Sequence, residues 1–285
     1  MSQAFDAVRI TDGLYWVGAI DWDVRDFHGY STPAGSTYNA YLMEGPSGWV
    51  LFDTVKRPFA AEMLSRVASV VDPSRVDVLV SNHSEPDHTG SLSTVLEEVG
   101  EVTLVASAMG AKNLSAHYPG LPGIQVVADG ESTELAGVKT VFLETRMLHW
   151  PDSMFSYLPD SATLISQDAF GMHLAGSGRF AGDYDQAALR WNAAKYYANI
   201  LMPFSPLVSR LLSRVEEMGL DIRLIAPDHG PAFSVDGRPG PRWIIDLWSG
   251  WARGERQRKV VVAYDTMWHS TEIMARSVAE GVARA

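Results

Sequence analysis

Two imidazoles and two carboxylates stand within six positions of the segment Ser81–Gly90, directly after the apolar run Val76–Val80. The four side chains are His83, Glu85, Asp87 and His88. A proline and a glycine inside the segment keep it from continuing as a strand or a helix. Imidazole and carboxylate groups on a turn that leaves a strand can converge on a cation. The segment therefore predicts a metal site, with a solvated polar turn as the alternative.

Three further candidate ligands each follow a strand-like run, and they are His149, Asp168 and His229. Loops at strand ends gather over one edge of a sheet, so we expect all seven side chains to meet there. Seven ligands exceed what a single first-row ion accepts, and three carboxylates would largely offset two divalent charges. We therefore expect two metals, with Asp168 as the bridge. One ion would take His83, Glu85 and His149, and the other Asp87, His88 and His229.

Composition excludes several classes of protein. The chain has 285 residues, of which 46% are hydrophobic and 20% charged, so it can bury a sizeable core. It has no Cys, which excludes disulfides, thiolate nucleophiles, Fe–S clusters and zinc–thiolate sites. A net charge of −11 argues against nucleic acid or an anionic membrane surface as a partner. No apolar stretch approaches the roughly 20 residues of a membrane span, and we expect a cytoplasmic protein.

The apolar patterns alternate between strand and helix periods. Strand-like runs are Leu14–Val17, Tyr38–Met43, Trp49–Phe52, Val76–Val80, Val102–Ala106, Ile124–Val127, Val138–Leu143, Ala162–Ser166 and Ile222–Ala226. Helical patterns are Phe59–Val71, Gln186–Leu201, a region from Pro203 to about Met218, and Pro241–Arg253. Early pairs of strands and later intervening helices predict an α/β fold, an αββα sandwich of two mixed sheets with helices outside.

A domain boundary is expected near residue 255, with residues 1–254 as the metal-binding domain and residues 255–285 as a second one. A polar connector at 254–258 precedes the strand-like run Lys259–Tyr264, a hydroxyl-rich turn and the helical pattern Glu272–Ala285. Strand, hydroxyl-rich turn and helix form the geometry that cradles a phosphate. A nucleotide-binding α/β unit needs about 100 residues or more, so we expect this second domain to be incomplete.

The run His-x-Glu-x-Asp-His, with a later His, Asp and His, resembles the metallo-β-lactamase superfamily and, within it, the flavodiiron proteins, also called A-type flavoproteins. Hydrolases of that superfamily usually carry His where Glu85 stands and bind zinc. A carboxylate there makes the site harder and more anionic, which suits a redox di-iron centre. Further segments that resemble the family are Asp21–Tyr30, Thr37–Leu42, Trp191–Ile200 and Thr266–Thr271, the last of which looks like an FMN-phosphate loop.

The resemblance implies reduction of dioxygen to water, of nitric oxide to nitrous oxide, or both, at a non-haem di-iron site supplied with electrons through FMN. All seven candidate ligands would hold iron, and one imidazole of the motif, His83 or His88, can leave the metal. His28 and one of Tyr196 or Tyr197 would line the gas pocket. The expected FMN contacts are Thr266, Met267, Trp268, His269, Ser270 and Thr271.

The resemblance also implies a head-to-tail homodimer in which the flavin of one subunit lies beside the iron pair of the other. The electron donor would be a rubredoxin-like protein, a flavoprotein reductase or another carrier. Because only the first strand, turn and helix of a flavodoxin-like domain are present, we expect the sequence to be a fragment that does not retain FMN by itself. Capping of the last helix by a hydroxyl is the simpler interpretation of Thr266, Ser270 and Thr271.

Two other functions remain open from the sequence. One is a zinc-dependent hydrolase of the same fold, in which a metal-bound hydroxide attacks an ester or lactam. The other is a non-catalytic sensor that binds dioxygen reversibly at the di-iron site. Several neighbouring side chains are candidates to support the ligands or to shield them, namely Asp53, Trp150, Asp152, His173 and Asp228, and we expect His117 to lie at a surface helix end.

Overall fold

Two β-sheets packed face to face form the centre of the larger part of the chain, in a computed structural model that describes residues 5–255 and 258–285. In chain order the strands are β1 Val8–Thr11, β2 Leu14–Trp16, β3 Ala19–Asp21, β4 Asp26–Phe27, β5 Tyr30–Ser31, β6 Ser36–Tyr38, β7 Tyr41–Gly45, β8 Gly48–Phe52, β9 Val76–Ser81, β10 Thr103–Ser107, β11 Ile124–Val127, β12 Ser132–Leu135, β13 Val138–Glu144, β14 Met154–Leu158, β15 Thr163–Ile165, β16 Leu224–Ala226 and β17 Phe233–Ser234.

The first sheet has seven strands in the order β1-β2-β7-β8-β9-β10-β11, and strands β8 to β11 run parallel. The second sheet has six strands in the order β12-β13-β14-β15-β16-β17, with β15 and β16 as its parallel pair. Two short ribbons, β3 with β6 and β4 with β5, complete the strand pairing of the described residues. Both large sheets are mixed, as the sequence predicts.

Helices from the first 253 residues cover the outer face of each sheet. The α-helices are α1 Ala60–Ala68, α2 Pro86–Thr89, α3 Leu92–Val99, α4 Ala108–His117, α5 Gln186–Tyr196, α6 Ser205–Glu217, α7 Pro241–Ala252 and α8 Ser270–Arg284. The short 3-10 helices are Arg57–Phe59, Pro73–Arg75, Pro159–Ser161, Ala181–Asp183 and Met202–Phe204. Helix α1 buries Ala60, Met63 and Val67, and this spacing is that of one helix face. No helix in the described ranges has the length and apolar character to cross a membrane.

The central strands bury both of their faces, and this explains their continuous apolar sequences. In β9, Val78 and Val80 point into the space between the two sheets. Leu79, between them, joins the cluster beneath the outer helices α1 and α3. On the far side, Phe155 and Leu164 pack with α5, α6 and α7. The sandwich of four layers follows from these three apolar clusters, and the expectation of an αββα fold is confirmed.

Two predicted elements differ from the structure within this part of the chain. The run Tyr38–Met43 is interrupted, because Asn39 and Ala40 leave the ladder between β6 and β7. The single helix expected over Gln186–Leu201 ends as α5 at Tyr196 and continues as a π-helical turn, Tyr197–Leu201. Strand β14 was not expected, although all five of its residues are buried.

Contacts between residues divide the chain into two units, one ending at Arg253 and the other beginning at Gly254. Residues 256 and 257 of the expected connector lie outside the described residues. The run Lys259–Tyr264, expected as a strand, is not one, because its backbone pairs with no other strand in the described part of the chain. The helix expected over Glu272–Ala285 forms as α8. The assignment of this unit to a flavodoxin-like domain stays a prediction.

Candidate metal centre

All seven candidate ligands lie together at one edge of the sandwich, on loops that follow strands. The motif after β9 turns into the short helix α2, which begins at Pro86, so that Asp87 and His88 lie in its single turn. Their side chains, and that of His83, are buried. The other three ligands come from the loops after β13, β15 and β16. The order of strands therefore explains how residues far apart in sequence meet.

One half of the cluster consists of His83, Glu85 and His149. Nε2 of His149 lies 2.9 Å from Oε2 of Glu85 and 2.8 Å from Oδ2 of Asp168. Nε2 of His83 lies 3.7 Å from the same Glu85 oxygen and 3.4 Å from the same Asp168 oxygen. Two imidazoles and two carboxylates thus face a common point, which we call half-site one.

The other half consists of Asp87, His88 and His229. Oδ2 of Asp87 lies 3.1 Å from Nε2 of His88 and 3.2 Å from Nε2 of His229. The second oxygen of Asp168, Oδ1, lies 3.6 Å from His88 and 3.4 Å from His229. This is half-site two, and Asp168 presents one oxygen to each half-site.

The unsatisfied polar atoms of the cluster fit a pair of cations. Buried atoms without a well-aligned hydrogen-bond partner among the described residues include Nε2 of His83 and His149, Oε2 of Glu85 and both carboxylate oxygens of Asp87 and Asp168. Buried polar groups are normally paired, so each such atom needs an explanation. The imidazole nitrogens and carboxylate oxygens approach one another to 2.8–3.7 Å without hydrogen-bond alignment. Ligands that share an ion adopt this arrangement. The donor set of nitrogen and oxygen suits iron or zinc.

Electrostatics within the cluster favour positive charge. Burial alone would lower the pKa of His149, but contacts with Asp168 and Glu85 outweigh it and raise the pKa to about 10. Burial would raise the pKa of Asp168, yet His83 and His149 hold it well below its ordinary value. The pKa of Glu85 is likewise lowered, against its burial, by His149, His28 and His83. The carboxylates are therefore ionised and attract cations.

A set of polar contacts behind the ligands orients the imidazoles. Nδ1 of His229 donates to the backbone oxygen of Thr37 at 2.6 Å, which leaves Nε2 facing half-site two. The buried carboxylate of Asp228 lies 3.7 Å from Nδ1 of His83 and 3.6 Å from Nδ1 of His88, so it stands behind both half-sites. Burial and then the charge of Asp53 raise the pKa of Asp228 well above its ordinary value.

Asp53 supports the motif through its neighbour and not through an imidazole. Its two oxygens accept from the backbone N–H of Asn82 at 2.7 Å and from the Asn82 side chain at 2.5 Å. Ser156 donates to the side-chain oxygen of the same Asn82 at 2.7 Å. The residue before His83 is thus tied to β14, and among the described residues the Asp53 carboxylate bonds to Asn82 and not to a ligand imidazole.

The interrupted run between β6 and β7 holds the loop that carries His229. The side chain of Asn39 donates to the backbone oxygens of Pro227 at 2.6 Å and Gly230 at 2.9 Å. Tyr41 donates its hydroxyl to the same Pro227 oxygen at 2.8 Å. Sequence patterns alone assigned no role to these two side chains, because their partners are backbone atoms about 190 residues away.

His28 reaches the centre, whereas only one of the two candidate tyrosines does so. Nε2 of His28 lies 2.9 Å from Oε1 of Glu85. Tyr196 is fully buried, and its ring packs 6.1 Å from that of His229. Tyr197 instead contacts the hydroxyl of Ser205 at 2.9 Å and packs on tryptophan rings of α7, so Tyr196 is the one of the two alternatives that lies beside the ligands.

His173 is a buried neighbour that the sequence only weakly indicated. Its ring contacts those of His28, His229 and Tyr196, with centroids 5.0, 4.7 and 5.1 Å away. Burial lowers its pKa well below the usual value, and His229 and His28 add to that shift. Asp152 is buried as well, but its carboxylate forms no hydrogen bond within the described part of the chain, while the ring of Trp150 lies 6.4 Å from that of His117.

The expected FMN contacts lie in the second unit. Met267 and Trp268 are exposed, and helix α8 begins at Ser270 with Thr271 in its first turn. Its N-cap residue is His269, and no side chain forms a capping hydrogen bond, so capping by a hydroxyl does not occur. Thr266 donates its backbone N–H to Asp265 at 2.8 Å. A role of these residues in binding FMN stays a prediction.

Fold and site together define a protein of the β-lactamase-like class with a buried cluster of imidazole and carboxylate ligands. The family profile described as ODP family beta lactamase matches residues 37–230. A nitric oxide reductase of Moorella thermoacetica is 43% identical over 278 residues, which cover 96% of this chain and 68% of that protein.

Solved structures agree with this match. The rubredoxin oxygen:oxidoreductase of Desulfovibrio gigas superposes with a TM-score of 0.93 at 41% identity, over 98% of this chain and 69% of that one. A flavodiiron protein from Giardia intestinalis gives a TM-score of 0.92 at 32% identity, over 99% and 68%. The chain belongs to the flavodiiron family and spans about two thirds of the length of these relatives.

Proposed function

We propose that this chain is the metal-binding part of an oxidoreductase that reduces dioxygen to water, nitric oxide to nitrous oxide, or both. The relatives include a nitric oxide reductase and a rubredoxin oxygen:oxidoreductase, which supports this reaction class. The single observation that carries the proposal is Asp168, whose two oxygens face two separate sets of ligands. A shared carboxylate of this kind suits a pair of ions that act on one small substrate.

Two iron ions held in the two half-sites would supply the electrons and the open positions for the gas. His83, Glu85 and His149 would hold one, Asp87, His88 and His229 the other, and Asp168 would bridge them. Glu85 stands where zinc hydrolases of this fold usually carry an imidazole, and its harder oxygen ligand favours iron. His28 and Tyr196 would line the substrate space, where the Tyr196 hydroxyl is buried without a partner in the described residues.

Electrons would reach the site through FMN. We propose that the residues Thr266–Thr271 belong to a phosphate-binding loop of a flavodoxin-like unit, and that two subunits pair head to tail so that one subunit's flavin serves the other's metals. A rubredoxin-like protein or a flavoprotein reductase would deliver the electrons, and we expect this to take place in the cytoplasm.

Metal analysis and gas consumption together test the proposal. Iron-supplemented protein should contain about two irons per chain by elemental analysis, and should consume O₂ or NO when a reduced flavin donor is added. One zinc per chain with ester or lactam hydrolysis would instead identify a hydrolase. Two irons that bind O₂ reversibly, without consuming it under reduced donor, would identify a sensor. The Asp160→Asn variant, at an exposed position, is a matched control.

A further inference from the structure

Three side chains form a polar row that leads to the metal centre. The hydroxyl of Ser36 lies 2.9 Å from Nδ1 of His173. Nε2 of His173 lies 3.1 Å from Nδ1 of His28, and Nε2 of His28 lies 2.9 Å from Oε1 of Glu85. Ser36 is fully buried and His173 nearly so. Solvent therefore offers them few partners, and the other neighbours of the Ser36 hydroxyl are the backbone oxygen of Thr37 at 3.2 Å and Nδ1 of His229 at 3.4 Å.

The direction of hydrogen bonding along the row follows from its last member. An ionised carboxylate can only accept, so the contact with Glu85 requires a hydrogen on Nε2 of His28. Nδ1 of a neutral His28 then carries the lone pair and accepts from Nε2–H of His173. Nδ1 of His173 in turn accepts from the hydroxyl of Ser36, because their 2.9 Å contact is shorter than the 3.2 Å contact of that hydroxyl with the backbone oxygen of Thr37.

We propose that His173, supported by Ser36, is a positioning residue that fixes His28 as the Nε2–H tautomer together with the Glu85 contact. With the opposite tautomer, Nε2 of His28 would offer a lone pair and become an additional metal ligand. Its position would allow this, because a His28 nitrogen lies within 4.8 Å of ligand atoms from both half-sites. The 2.9 Å contact with Glu85 disfavours the opposite tautomer as well, since lone pairs at that distance repel one another. His173 and Glu85 therefore act on the two nitrogens of the same ring.

The consequence concerns the substrate. The His28 Nε2 atom has no well-aligned partner among the described residues, although the Glu85 oxygen is close. If the proposed function holds, this N–H, which lies close to Glu85 without good alignment, would also donate to an oxygen atom of a bound gas. The tautomer keeps His28 a donor to substrate and keeps it off the metals, so a coordination position stays open. This role in catalysis rests on the proposed function, whereas the tautomer itself does not.

Packing fixes the ring of His28 but not its tautomer. His28 and Gly29 form the turn between β4 and β5, with φ angles of 54° and 75°, and glycine adopts the second of these at little cost. The ring of Phe27 stacks on His28 at 4.0 Å and meets His173 edge-on at 5.0 Å. These packing contacts are the same whichever ring nitrogen carries the hydrogen. Among the described residues, His173 is the side chain that faces Nδ1 of His28 at hydrogen-bond distance.

The tautomer can be measured without any turnover. In zinc-substituted protein, which is diamagnetic, ¹⁵N-labelled histidine spectra with long-range proton correlation distinguish the two neutral tautomers, the doubly protonated ring and a metal-bound nitrogen. We expect His28 to carry hydrogen on Nε2 alone. In His173→Leu this signal should shift toward the Nδ1–H form or a mixture. In His173→Gln, whose amide can still donate, it should return toward the wild-type pattern.

Control signals exclude a general loss of structure. His117 lies at the end of α4 and contacts Tyr118 and Trp150, so His117→Leu should leave the His28 signal unchanged. The metal-bound signals of the ligand histidines should persist in every variant. An Nδ1–H, doubly protonated or metal-bound His28 in the wild type would overturn the inference, as would an unchanged His28 signal in a folded His173→Leu protein.

A second measurement separates this inference from the proposed function. In iron-loaded protein with two irons per chain, His173→Leu should lower kcat about tenfold and His173→Gln should recover most of it, in line with other residues that orient metal-site groups. An unchanged kcat alongside a shifted tautomer would overturn the positioning role. If the wild-type protein consumes neither gas, the proposed function fails, while the tautomer measurement still decides the hydrogen-bond assignment.

Discussion

At the scale of single residues, we expect the centre to depend most on Asp168, because its two oxygens face different half-sites. The Asp168→Asn variant keeps the size of the side chain but removes its charge and one of its two acceptor oxygens. We expect iron content to fall below two per chain and gas consumption to fall at least about a hundredfold, since removing a ligand perturbs a site more than the 10–100-fold typical of outer neighbours. Elemental analysis and an oxygen electrode measure both. Wild-type iron content and rate in this variant would remove Asp168 from the site.

The adjacent tyrosines of α5 and the π-helical turn provide a second test. Tyr196→Phe removes a buried hydroxyl that has no partner in the described residues, so we expect lower kcat, by about tenfold, with no loss of thermal stability. Tyr197→Phe removes a hydroxyl that contacts Ser205 at 2.9 Å. It should cost about 1 kcal/mol of unfolding free energy and leave kcat unchanged. Steady-state kinetics and denaturant unfolding of both variants measure these effects. If Tyr197 rather than Tyr196 lined the substrate space, Tyr197→Phe would lower kcat and Tyr196→Phe would not.

At the scale of elements, the loop after β16 depends on the segment between β6 and β7. Asn39→Ala removes the side-chain donor to the backbone oxygen of Gly230, while the oxygen of Pro227 keeps its bond from Tyr41, and an unsatisfied buried acceptor costs about 1–3 kcal/mol. We expect a lower melting temperature and about 10–100-fold weaker metal affinity, because the loop carries His229. Chelator competition measures the affinity.

A matched control for that prediction is Asn199→Ala, where an exposed asparagine donates to the backbone oxygen of Lys195 in its own helical region. This change should alter neither metal affinity nor stability by more than about 0.5 kcal/mol. If both asparagine variants bound metal equally well, the segment between β6 and β7 would not support the site.

The elements also show what a sequence can and cannot predict. Doubly buried strands such as β9 are continuous apolar runs, and the spacing of Met63 and Val67 marks a helix face, so the sandwich could be anticipated. The seven ligand candidates could be chosen because His, Asp and Glu follow strands. The roles of Asn39 and Ser36 could not, since their partners are a backbone oxygen and an imidazole brought near only by folding. Tyr196 and Tyr197 are adjacent in the sequence, and they differ only in the direction in which each side chain leaves the helix.

At the scale of the whole molecule, metal binding should contribute to stability. Four imidazoles and three carboxylates are gathered around half-sites one and two, and a ligand that binds only the folded protein stabilises it, by about 4 kcal/mol at a thousand times its dissociation constant. For a chain of this size we expect chelation to lower the melting temperature by about 10 °C. Calorimetry with and without chelator measures this shift. Chelation should lower the melting temperature of Asp168→Asn by less than that of the wild type. Equal shifts in the two proteins would contradict a role of Asp168 in a shared metal site.

The order in which the ligands occur along the chain has a consequence for biosynthesis. The ligands of half-site one all precede His229, and His229 itself is held by the ribbon that contains Thr37. A growing polypeptide emerging from the ribosome therefore presents one partial set of ligands well before the other can close. Iron delivered during translation would meet a site that still lacks His229, whereas iron delivered after release would meet both half-sites complete.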